Sequence, residues 1–322
     1  MTLAKHLVPV EENKEPIEFA NQQLKVFWLP DEIKVEKDVQ DVLVNFTPSE
    51  KHGVITTLKL FSIYETHAGS EYWGGRFRDI FSGAEFERMA SVFSMFELAV
   101  HAPFYKRINE LLHIDNEEFY LSYENNQAMK GRVEHLGELI DHPNPLVSLA
   151  SFSLVEGVIL YSSFAFLKHY QSQGKNKLMN IVRGINFSVR DENLHSEGGA
   201  WAYKHLLSKS NLTTEEKLEV ENLILLAAQQ LYSHEVQIIS EIFAKGDIPG
   251  ITAHQLENFV KSRLKLRLEA LGIKTEVYDV KYNPIGEWFY KGINDFQFND
   301  FFSGMGNQYH RNWDEQGFVW GE

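Results

Sequence analysis

Long segments with a helical apolar pattern occupy most of this chain. Such a pattern places the apolar side chains on one face of a helix, and the segments are about twice as long as the average globular helix. They predict an all-α protein in which long antiparallel helices bury their apolar stripes against one another as a bundle. The segments, which contain little Gly or Pro, are approximately 83–112, 117–140, 146–171, 176–208, 213–244 and 253–271.

The sequence also marks where some helices begin. Residues 47–50 combine a threonine that can cap a helix, a proline in the first turn and a glutamate three residues after the threonine. This combination predicts a helix that starts here and runs towards Gly69. Thr213 and Glu216 repeat the capping pattern before the fifth long segment. Both signals support the helical interpretation.

No change in composition divides the chain into separate units. Hydrophobic residues make up 43% of it, which is enough for a large core. A strand-like stretch at 276–280 is too isolated to build a sheet. We therefore expect one helical domain over residues 1–300, followed by an aromatic, Gly- and Asn-rich tail over residues 301–322.

Charge and cysteine content exclude several classes of function. The chain has 31 Lys and Arg against 45 Asp and Glu, a formal net charge of −14, which argues against nucleic acid or an anionic membrane as the main partner. The basic stretch 261–268 is interpreted as a solvated helix face rather than a membrane- or RNA-binding helix. The first 16 residues lack a signal-peptide pattern, so a cytoplasmic location is expected. With no cysteine, any transition metal must be held by histidine and carboxylates, which favours iron or manganese.

Two pairs of acidic and histidine side chains stand out within the apolar segments. Glu192 and His195 are three residues apart, and Glu97 and His101 are four apart. On a helix both spacings place the two side chains on one face, where they can reach the same metal ion. Either pair could occur by chance, but ionisable groups in an apolar stripe are costly unless something neutralises them.

Two further helices each carry a single acid within an apolar run. Glu156 is the only charged residue in its run, and Glu65 closes another. A dinuclear carboxylate site in a four-helix bundle requires one Glu from each of two helices and a Glu and His pair from each of the other two. Any one of these residues could instead be a surface acid, a cap or a packed histidine. Together they form the ligand set predicted here: Glu65, Glu97, His101, Glu156, Glu192 and His195.

Tyr105 lies four residues after His101 on the same predicted helix. This spacing places its phenol one turn along the same face, close to the predicted metal pair. Most buried tyrosines are merely packed with a hydrogen-bonded hydroxyl. Leu160 and Phe164, one and two turns beyond Glu156, offer a dry lining that would protect a tyrosyl radical.

At this point the sequence resembles the ribonucleotide reductase small-subunit family over nearly its whole length. The most specific blocks are Val100 to Tyr105, the Glu156 helix and Arg190 to His195. The resemblance implies a ferritin-like fold and a small subunit of ribonucleoside-diphosphate reductase, an oxidoreductase component. In this family the six matching residues bind two metal ions, and the tyrosine four after the first histidine becomes the radical. The cofactor implied is Fe2, with Mn2 or mixed Mn/Fe as alternatives.

The resemblance also implies a route by which the radical leaves this chain. Family members pass it to a large catalytic subunit through a tryptophan near the N-terminus, an aspartate beside the second Glu and His pair, and a tyrosine in the C-terminal tail. Trp28, Asp191 and Tyr309 match these positions, although Trp28 and Tyr309 could also be ordinary packing residues. The last residues, 317–322, resemble the peptide that docks on the large subunit; the alternative is that they dock on their own chain. A homodimer is expected from the family alone.

Two features depart from the family pattern. The first Glu and His of the family are commonly three residues apart, whereas Glu97 and His101 are four apart. The first carboxylate is usually aspartate, but Glu65 stands there. Branches with glutamate at that position include some with manganese-containing cofactors and some that need no tyrosyl radical. The presence of Tyr105 favours a tyrosyl radical without identifying the metal.

Two other functions remain possible from the sequence. A stand-alone ferritin-like di-metal oxidase would share the ligand set but would not need Trp28 or an aromatic tail. A metal-storage protein or a metal-free scaffold would bind many metal ions per chain or none. The substrate-reducing thiols of a reductase must lie in another subunit, because this chain has no cysteine.

Overall fold

The computed structural model describes residues 10–290, and of the remainder only the backbone of 313–314 and 317–318. Long helices pack around one contiguous apolar core. Residues 284–290 form a further helical segment. The main helices are α1 (Glu15–Lys25), α2 (Pro48–Thr66, continued by His67–Arg76 and Phe77–Ile80), α3 (Ala84–Phe96, continued by Glu97–His101 and Ala102–Leu111), α4 (Glu117–Leu121), α5 (Gln127–Ile140), α6 (Pro145–Leu154, continued by Val155–Ile159 and Tyr161–Lys168), α7 (Met179–Lys209), α8 (Thr214–Ile242) and α9 (Ala253–Leu271).

The prediction of an all-α bundle is confirmed. The only regular strands in the described part are two residues long: β1 (Trp313–Asp314) pairs antiparallel with β2 (Gly317–Phe318). Residues 276–280 form no strand. The predicted domain boundary at 300 lies outside the described residues.

The predicted helix starts are also confirmed. The Thr47 hydroxyl accepts a hydrogen bond from the Glu50 amide, and the Glu50 carboxylate accepts one from the Thr47 amide at 2.9 Å. Thr213 and Glu216 form the same reciprocal pair at the start of α8. Each cap satisfies main-chain N–H groups that have no partner within the helix, which is typically worth about 1 kcal/mol.

Two helix boundaries differ from the sequence prediction. The segment 117–140 is not one helix, because Asn126 adopts an extended backbone conformation and its side chain accepts from the Met129 amide at 3.0 Å, which starts α5. α1 was not predicted, since its short apolar pattern covers only 11 residues. Its Pro16 lies in the first turn, where a missing N–H costs nothing.

α6 is the central helix of the bundle. It packs against α7, α8 and α9. The span Pro145–Ser172 is long and apolar enough to cross a membrane, but its most apolar window is entirely buried inside the protein. This burial is typical of a core helix rather than of a lipid-facing one.

The interpretation of 261–268 as a solvated face is wrong for two of its four basic residues. Arg263 is 1% exposed and Arg267 is 5% exposed. Both lie on the side of α9 that packs on α6 and α7, where main-chain and side-chain oxygens accept their N–H groups. Their long aliphatic stems allow them to cross the apolar layer of the core.

Lys168, at the end of α6, is expected to make stability depend on pH. Its ammonium is buried and contacts the Asn186 side chain and the Phe289 carbonyl. Burial lowers the pKa of Lys168 to about 7, whereas a lysine in an unfolded chain titrates near 10.4. Between these values the unfolded chain binds the extra proton, so stability should rise with pH by at most about 1.4 kcal/mol per unit.

This dependence can be measured against a Lys168→Met variant, which has no titrating group at that position. We expect the free energy of unfolding of wild type, relative to the variant, to increase between pH 7 and 9 in denaturant titrations of the metal-free proteins. Parallel curves for the two proteins would contradict a buried lysine with a lowered pKa.

Candidate metal centre

Three helices contain a π-helical stretch that carries a predicted ligand or lies next to one. We call these stretches widened turns. The widened turns are His67–Arg76 directly after Glu65, Glu97–His101, and Val155–Ile159 around Glu156. At the end of the second, the Ala102 amide donates to the Glu97 carbonyl, five residues back. Such turns contain one extra residue and occur frequently at functional sites. The second of these turns contains both Glu97 and His101, whose spacing of four keeps the two side chains on one face.

The structure brings the six predicted ligands together in the core. Each is at most 2% exposed. Their ligand atoms form two overlapping groups, within each of which all atoms lie within 4.8 Å of one another. Glu97 and Glu192 belong to both groups. The first group is Glu65, Glu97, His101 and Glu192, and the second is Glu97, Glu156, Glu192 and His195.

The distances within the cluster are those of facing ligand atoms. His101 Nδ1 lies 2.9 Å from Glu97 Oε2, 3.1 Å from Glu192 Oε1 and 3.5 Å from Glu65 Oε2. His195 Nδ1 lies 2.6 Å from Glu97 Oε1 and 3.4 Å from Glu192 Oε2. Two carboxylates shared between two histidine-containing groups fit the ligand set of a dinuclear carboxylate site, in which these six residues would hold two ions.

The remaining ring nitrogen of His101 faces away from the cluster. Its Nε2 lies 3.2 Å from Asp191 Oδ2, and the same oxygen accepts the indole N–H of Trp28 at 2.8 Å. The Trp28 and His101 rings are also stacked, with centroids 6.0 Å apart. A proton held on Nε2 by the aspartate leaves Nδ1 free to bind a metal, which is how an outer carboxylate orients a histidine ligand.

Burial and mutual repulsion set the protonation of the metal-free cluster. Burial, together with the Glu97 charge, raises the pKa of Glu65 well above its usual value. Burial and the charges of Glu192 and Glu97 do the same to the pKa of Glu156. Burial opposes ionisation of Glu97 too, but the His101 and His195 charges outweigh it and hold its pKa well below normal. Protons therefore supply part of the positive charge that four buried carboxylates require.

Unpartnered atoms show that the cluster fits a metal pair. Several buried oxygen and nitrogen atoms of the cluster have no hydrogen-bond partner within the described part of the chain, even though another ligand atom lies close by. Such groups are costly in a protein interior unless a cation binds them. Glutamate oxygen and histidine nitrogen are the donors that iron and manganese accept. The unpartnered atoms include Glu65 Oε1, Glu97 Oε1, both Glu192 carboxylate oxygens and both His195 nitrogens.

Tyr105 is completely buried beside this cluster. Its hydroxyl donates to Ser188 Oγ at 3.2 Å, and its ring stacks on Phe61 with centroids 4.4 Å apart. Phe164 also stacks on Phe61, with ring centroids 5.4 Å apart. Burial, followed by the Glu65 charge, raises the pKa of Tyr105 well above 10. The phenol is therefore neutral, dry and electrostatically linked to the cluster.

Sequence reasoning missed two polar residues that contact these groups. The Trp73 indole N–H donates to Glu156 Oε1 at 2.8 Å, and Ser188 accepts from Tyr105. Trp73 follows Glu65 by eight residues, about two turns, a spacing that could have indicated the same face. Ser188 gives no comparable signal, because serine in a long helix is common.

Comparison with known proteins agrees with this geometry. The sequence profile of the family described as "Ribonucleotide reductase, small chain" matches residues 7–284. The chain belongs to this family. The ribonucleoside-diphosphate reductase subunit beta of Bacillus subtilis is 25% identical to it over 302 residues, covering 91% of this chain and 88% of that protein. The subunit beta of Bacillus phage SPbeta is 24% identical over a stretch of the same length.

Solved structures share the fold of this small-chain protein. The dimanganese(II) NrdF of Streptococcus sanguinis superposes with a TM-score of 0.75 at 20% identity, covering 86% of this chain and 95% of that one. A putative class I ribonucleotide reductase from Bacillus halodurans gives 0.77 at 21% identity, covering 87% and 99%. Family membership and the buried cluster together give the protein a dinuclear metal site and a large-subunit partner.

One predicted site residue has no described position in the structure. Tyr309, like most of the tail 301–322, is outside the described residues. The structure brings together Trp28, Asp191 and His101 but gives no position for the next step towards a partner. The predicted role of Tyr309 therefore stays a prediction.

Proposed function

We propose that this chain is the radical-generating small subunit of a ribonucleoside-diphosphate reductase, in which Tyr105 holds the radical. The observation that carries this proposal is the buried cluster of four carboxylates and two histidines beside a fully buried tyrosine. Glu65, Glu97, His101 and Glu192 would hold one ion, and Glu97, Glu156, Glu192 and His195 the other. We propose a di-iron centre, with dimanganese or mixed Mn/Fe as the alternatives to be tested.

The residues around Tyr105 suit it to hold a radical. When bound and oxidised by oxygen, a pair of redox-active metal ions would supply the oxidising power needed to remove one electron, together with the hydroxyl proton, from a nearby phenol. Ser188 fixes the orientation of the Tyr105 hydroxyl, and Phe61, which is itself stacked on Phe164, covers a face of the Tyr105 ring. A dry apolar lining protects a radical from being quenched by solvent or small reductants.

Trp28, Asp191 and Tyr309 are proposed to carry the radical out of the chain. The hydrogen bonds from the Trp28 indole and the His101 imidazole to Asp191 support the first part of this route. Trp28 is only 2% exposed, although its neighbours Phe27 and Leu29 are exposed. The route therefore runs from the core to a point just beneath the surface, from which Tyr309 would continue it.

Several assembly properties form part of the same proposal. Residues 1–300 would make up the helical domain, and the tail 301–322 would dock on the large subunit. The protein would act as a homodimer in the cytoplasm, without a nucleic-acid or membrane partner. Sedimentation of the full chain with and without its last residues, in the presence of a large subunit, tests the dimer and the docking separately.

The decisive experiment is metal loading followed by spectroscopy. The purified chain is loaded anaerobically with Fe(II) or Mn(II) in separate samples and exposed to air, and metal content and electron paramagnetic resonance spectra are recorded. We expect two metal ions per chain and a tyrosyl signal in the iron sample. A tyrosyl signal that appears only with manganese and an added activating protein would replace di-iron by dimanganese. No bound metal would refute the proposal.

The stand-alone di-metal oxidase is the second candidate, since it would use the same ligands. It does not require the Trp28 and Asp191 hydrogen bond, which is the observation that favours a reductase subunit. Ribonucleotide reduction that depends on an added large subunit distinguishes the two functions. An oxidase would instead consume oxygen with an organic substrate in the absence of a partner.

An Asp191→Asn variant is expected to separate radical formation from radical transfer. The substitution keeps the side-chain shape but removes the charge that accepts from both Trp28 and His101. We expect the metal content and tyrosyl signal of wild type, with ribonucleotide reduction lowered by about 10²-fold or more, equivalent to about 2.7 kcal/mol. Asp38→Asn is a matched control, because this buried carboxylate caps the start of α7. Normal turnover by Asp191→Asn would contradict the proposed route.

A further inference from the structure

Two arginines on α9 are buried next to the part of α6 that carries Glu156. Arg263 and Arg267 are one helical turn apart, and both are almost fully buried. Their hydrogen-bond acceptors are neutral oxygens, namely the Gly157 carbonyl, the Tyr290 hydroxyl and the Asn193 side chain. Burying a guanidinium that is hydrogen-bonded only to neutral oxygens is costly, which draws attention to what these two arginines hold in place.

The strongest of these contacts is made to the residue that follows Glu156. Arg263 Nε and Nη2 both donate to the Gly157 carbonyl, at 3.0 and 2.8 Å. Gly157 lies within the widened turn of α6, Val155–Ile159. Regular main-chain pairing is interrupted at such a turn, so a carbonyl there gains from an outside donor. The guanidinium also lies 3.7 Å from the centroid of the Tyr161 ring, which fixes its plane.

Arg267 also packs against this turn. A Cβ atom placed on Gly157 would lie 2.7 Å from Arg267 Cδ and 2.4 Å from Ser196 Oγ. The head of Arg267 donates to the side chain of Asn193, which follows Glu192. The main chain of α6 at Gly157 is thus held between α7 and α9, with no room for a side chain.

We propose that Arg263 is a positioning residue for Glu156, and so for the metal site formed by Glu97, Glu156, Glu192 and His195. It holds the widened turn in the geometry that directs the Glu156 carboxylate into the cluster, where Trp73 donates to it. The inference rests on the proposed metal centre. It assigns α9, which carries none of the six ligands, a specific role in binding one of the two ions.

The proposal predicts a selective effect on one metal site. Glu156 belongs to the second ligand group alone, whereas the first group contains Glu65 and His101, on α2 and α3. Lysine keeps the charge of Arg263 but cannot give two parallel N–H groups to one carbonyl or stack its plane on Tyr161. An Arg263→Lys variant should therefore bind one ion more weakly and the other with unchanged affinity.

The test is a titration of metal-free protein with Mn(II), in which free Mn(II) is followed by electron paramagnetic resonance. We expect wild type to bind two ions, and Arg263→Lys to bind one with wild-type affinity and the other at least tenfold more weakly. At a Mn(II) loading that gives wild type the signal of a magnetically coupled Mn pair, the Arg263→Lys variant should not show this signal. Tyr290→Phe removes the remaining hydrogen bond of Arg263 without touching Gly157 and should bind both ions as wild type does.

A second variant and a stability measurement distinguish a positioning effect from misfolding. Gly157→Ala keeps Arg263 but pushes the turn away from Ser196 and Arg267. It should therefore also weaken binding of the ion held by the group that contains Glu156. Thermal unfolding of each metal-free variant separates loss of fold from loss of a ligand. Two ions bound with wild-type affinity in both variants would overturn the inference, as would equal weakening of both ions in Arg263→Lys. Absence of bound metal in wild type would instead refute the metal centre itself.

Discussion

Replacing Tyr105 with phenylalanine is expected to abolish the tyrosyl signal and to reduce ribonucleotide reduction with a large subunit by about a thousandfold or more. Phenylalanine has the same ring but no oxidisable hydroxyl, so the metal pair would have no phenol to oxidise at this position. Only the hydrogen bond to Ser188 is lost from the fold, which lowers the free energy of unfolding by about 1 kcal/mol. Metal content should remain at the wild-type level.

Tyr170→Phe is the matched control for that experiment. Tyr170 is also completely buried, and its ring stacks on Phe46 with centroids 4.4 Å apart. Its hydroxyl has no hydrogen-bond partner among the described residues, so its removal should leave the radical signal and turnover unchanged. Spectra and turnover of the two variants, measured side by side after identical metal loading, give the comparison. Full activity in Tyr105→Phe would show that the radical resides elsewhere.

Glu97→Gln is expected to have the largest effect on metal binding. Glu97 belongs to both ligand groups, and its two oxygens approach His101 Nδ1 at 2.9 Å and His195 Nδ1 at 2.6 Å. The amide of glutamine keeps the size of the side chain but cannot give an anionic oxygen to each ion. We expect binding of both ions to weaken by about 10²-fold or more, since even residues outside the ligand set change affinity by about 10- to 100-fold.

The same variant should change the protonation of the metal-free site. The Glu97 charge is the main influence that raises the pKa of His195 to about 9, against the opposing effect of burial. Without that charge the pKa of His195 should fall, which nuclear magnetic resonance titration of the imidazole would detect. Glu85→Gln is the matched control, because Glu85 is a buried acid on the same helix that bonds to Asn13 instead. Two tightly bound ions in Glu97→Gln would remove Glu97 from the ligand set.

Much of the site could be predicted because its residues follow local rules. Acids and histidines inside apolar helical stripes are costly, so their positions on four helices point to a shared partner before any coordinates are known. The same reasoning works for the capping boxes at Thr47 and Thr213, which depend on residues three apart. Trp28 and Asp191 were assigned from resemblance, and their hydrogen bond joins residues 163 positions apart, so it forms only when the chain between them is folded correctly.

Other features could not be predicted because they depend on how helices meet. Nothing in the basic run 261–268 shows that Arg263 crosses the core to reach the Gly157 carbonyl. The spacing of Trp73 from Glu65 could indicate a shared face, but the widened part of α2 begins between the two residues, so the contact of the indole with Glu156 does not follow from the sequence. The break at Asn126 is a competition between a side-chain cap and a continuing helix, which local sequence alone does not decide.

The widened turn between Glu97 and His101 has a consequence for recognising related sequences. An inserted residue in an ordinary helix rotates everything after it by about 100° and would turn Tyr105 away from the site. Here the widened turn takes up one residue more than a regular turn, and Tyr105 on the outgoing half of α3 is still buried beside the cluster. An extra residue taken up in this way would leave the site intact in three dimensions yet shift the sequence motif by one position. Searches that require a fixed three-residue interval between these ligands will therefore pass over proteins built in this way.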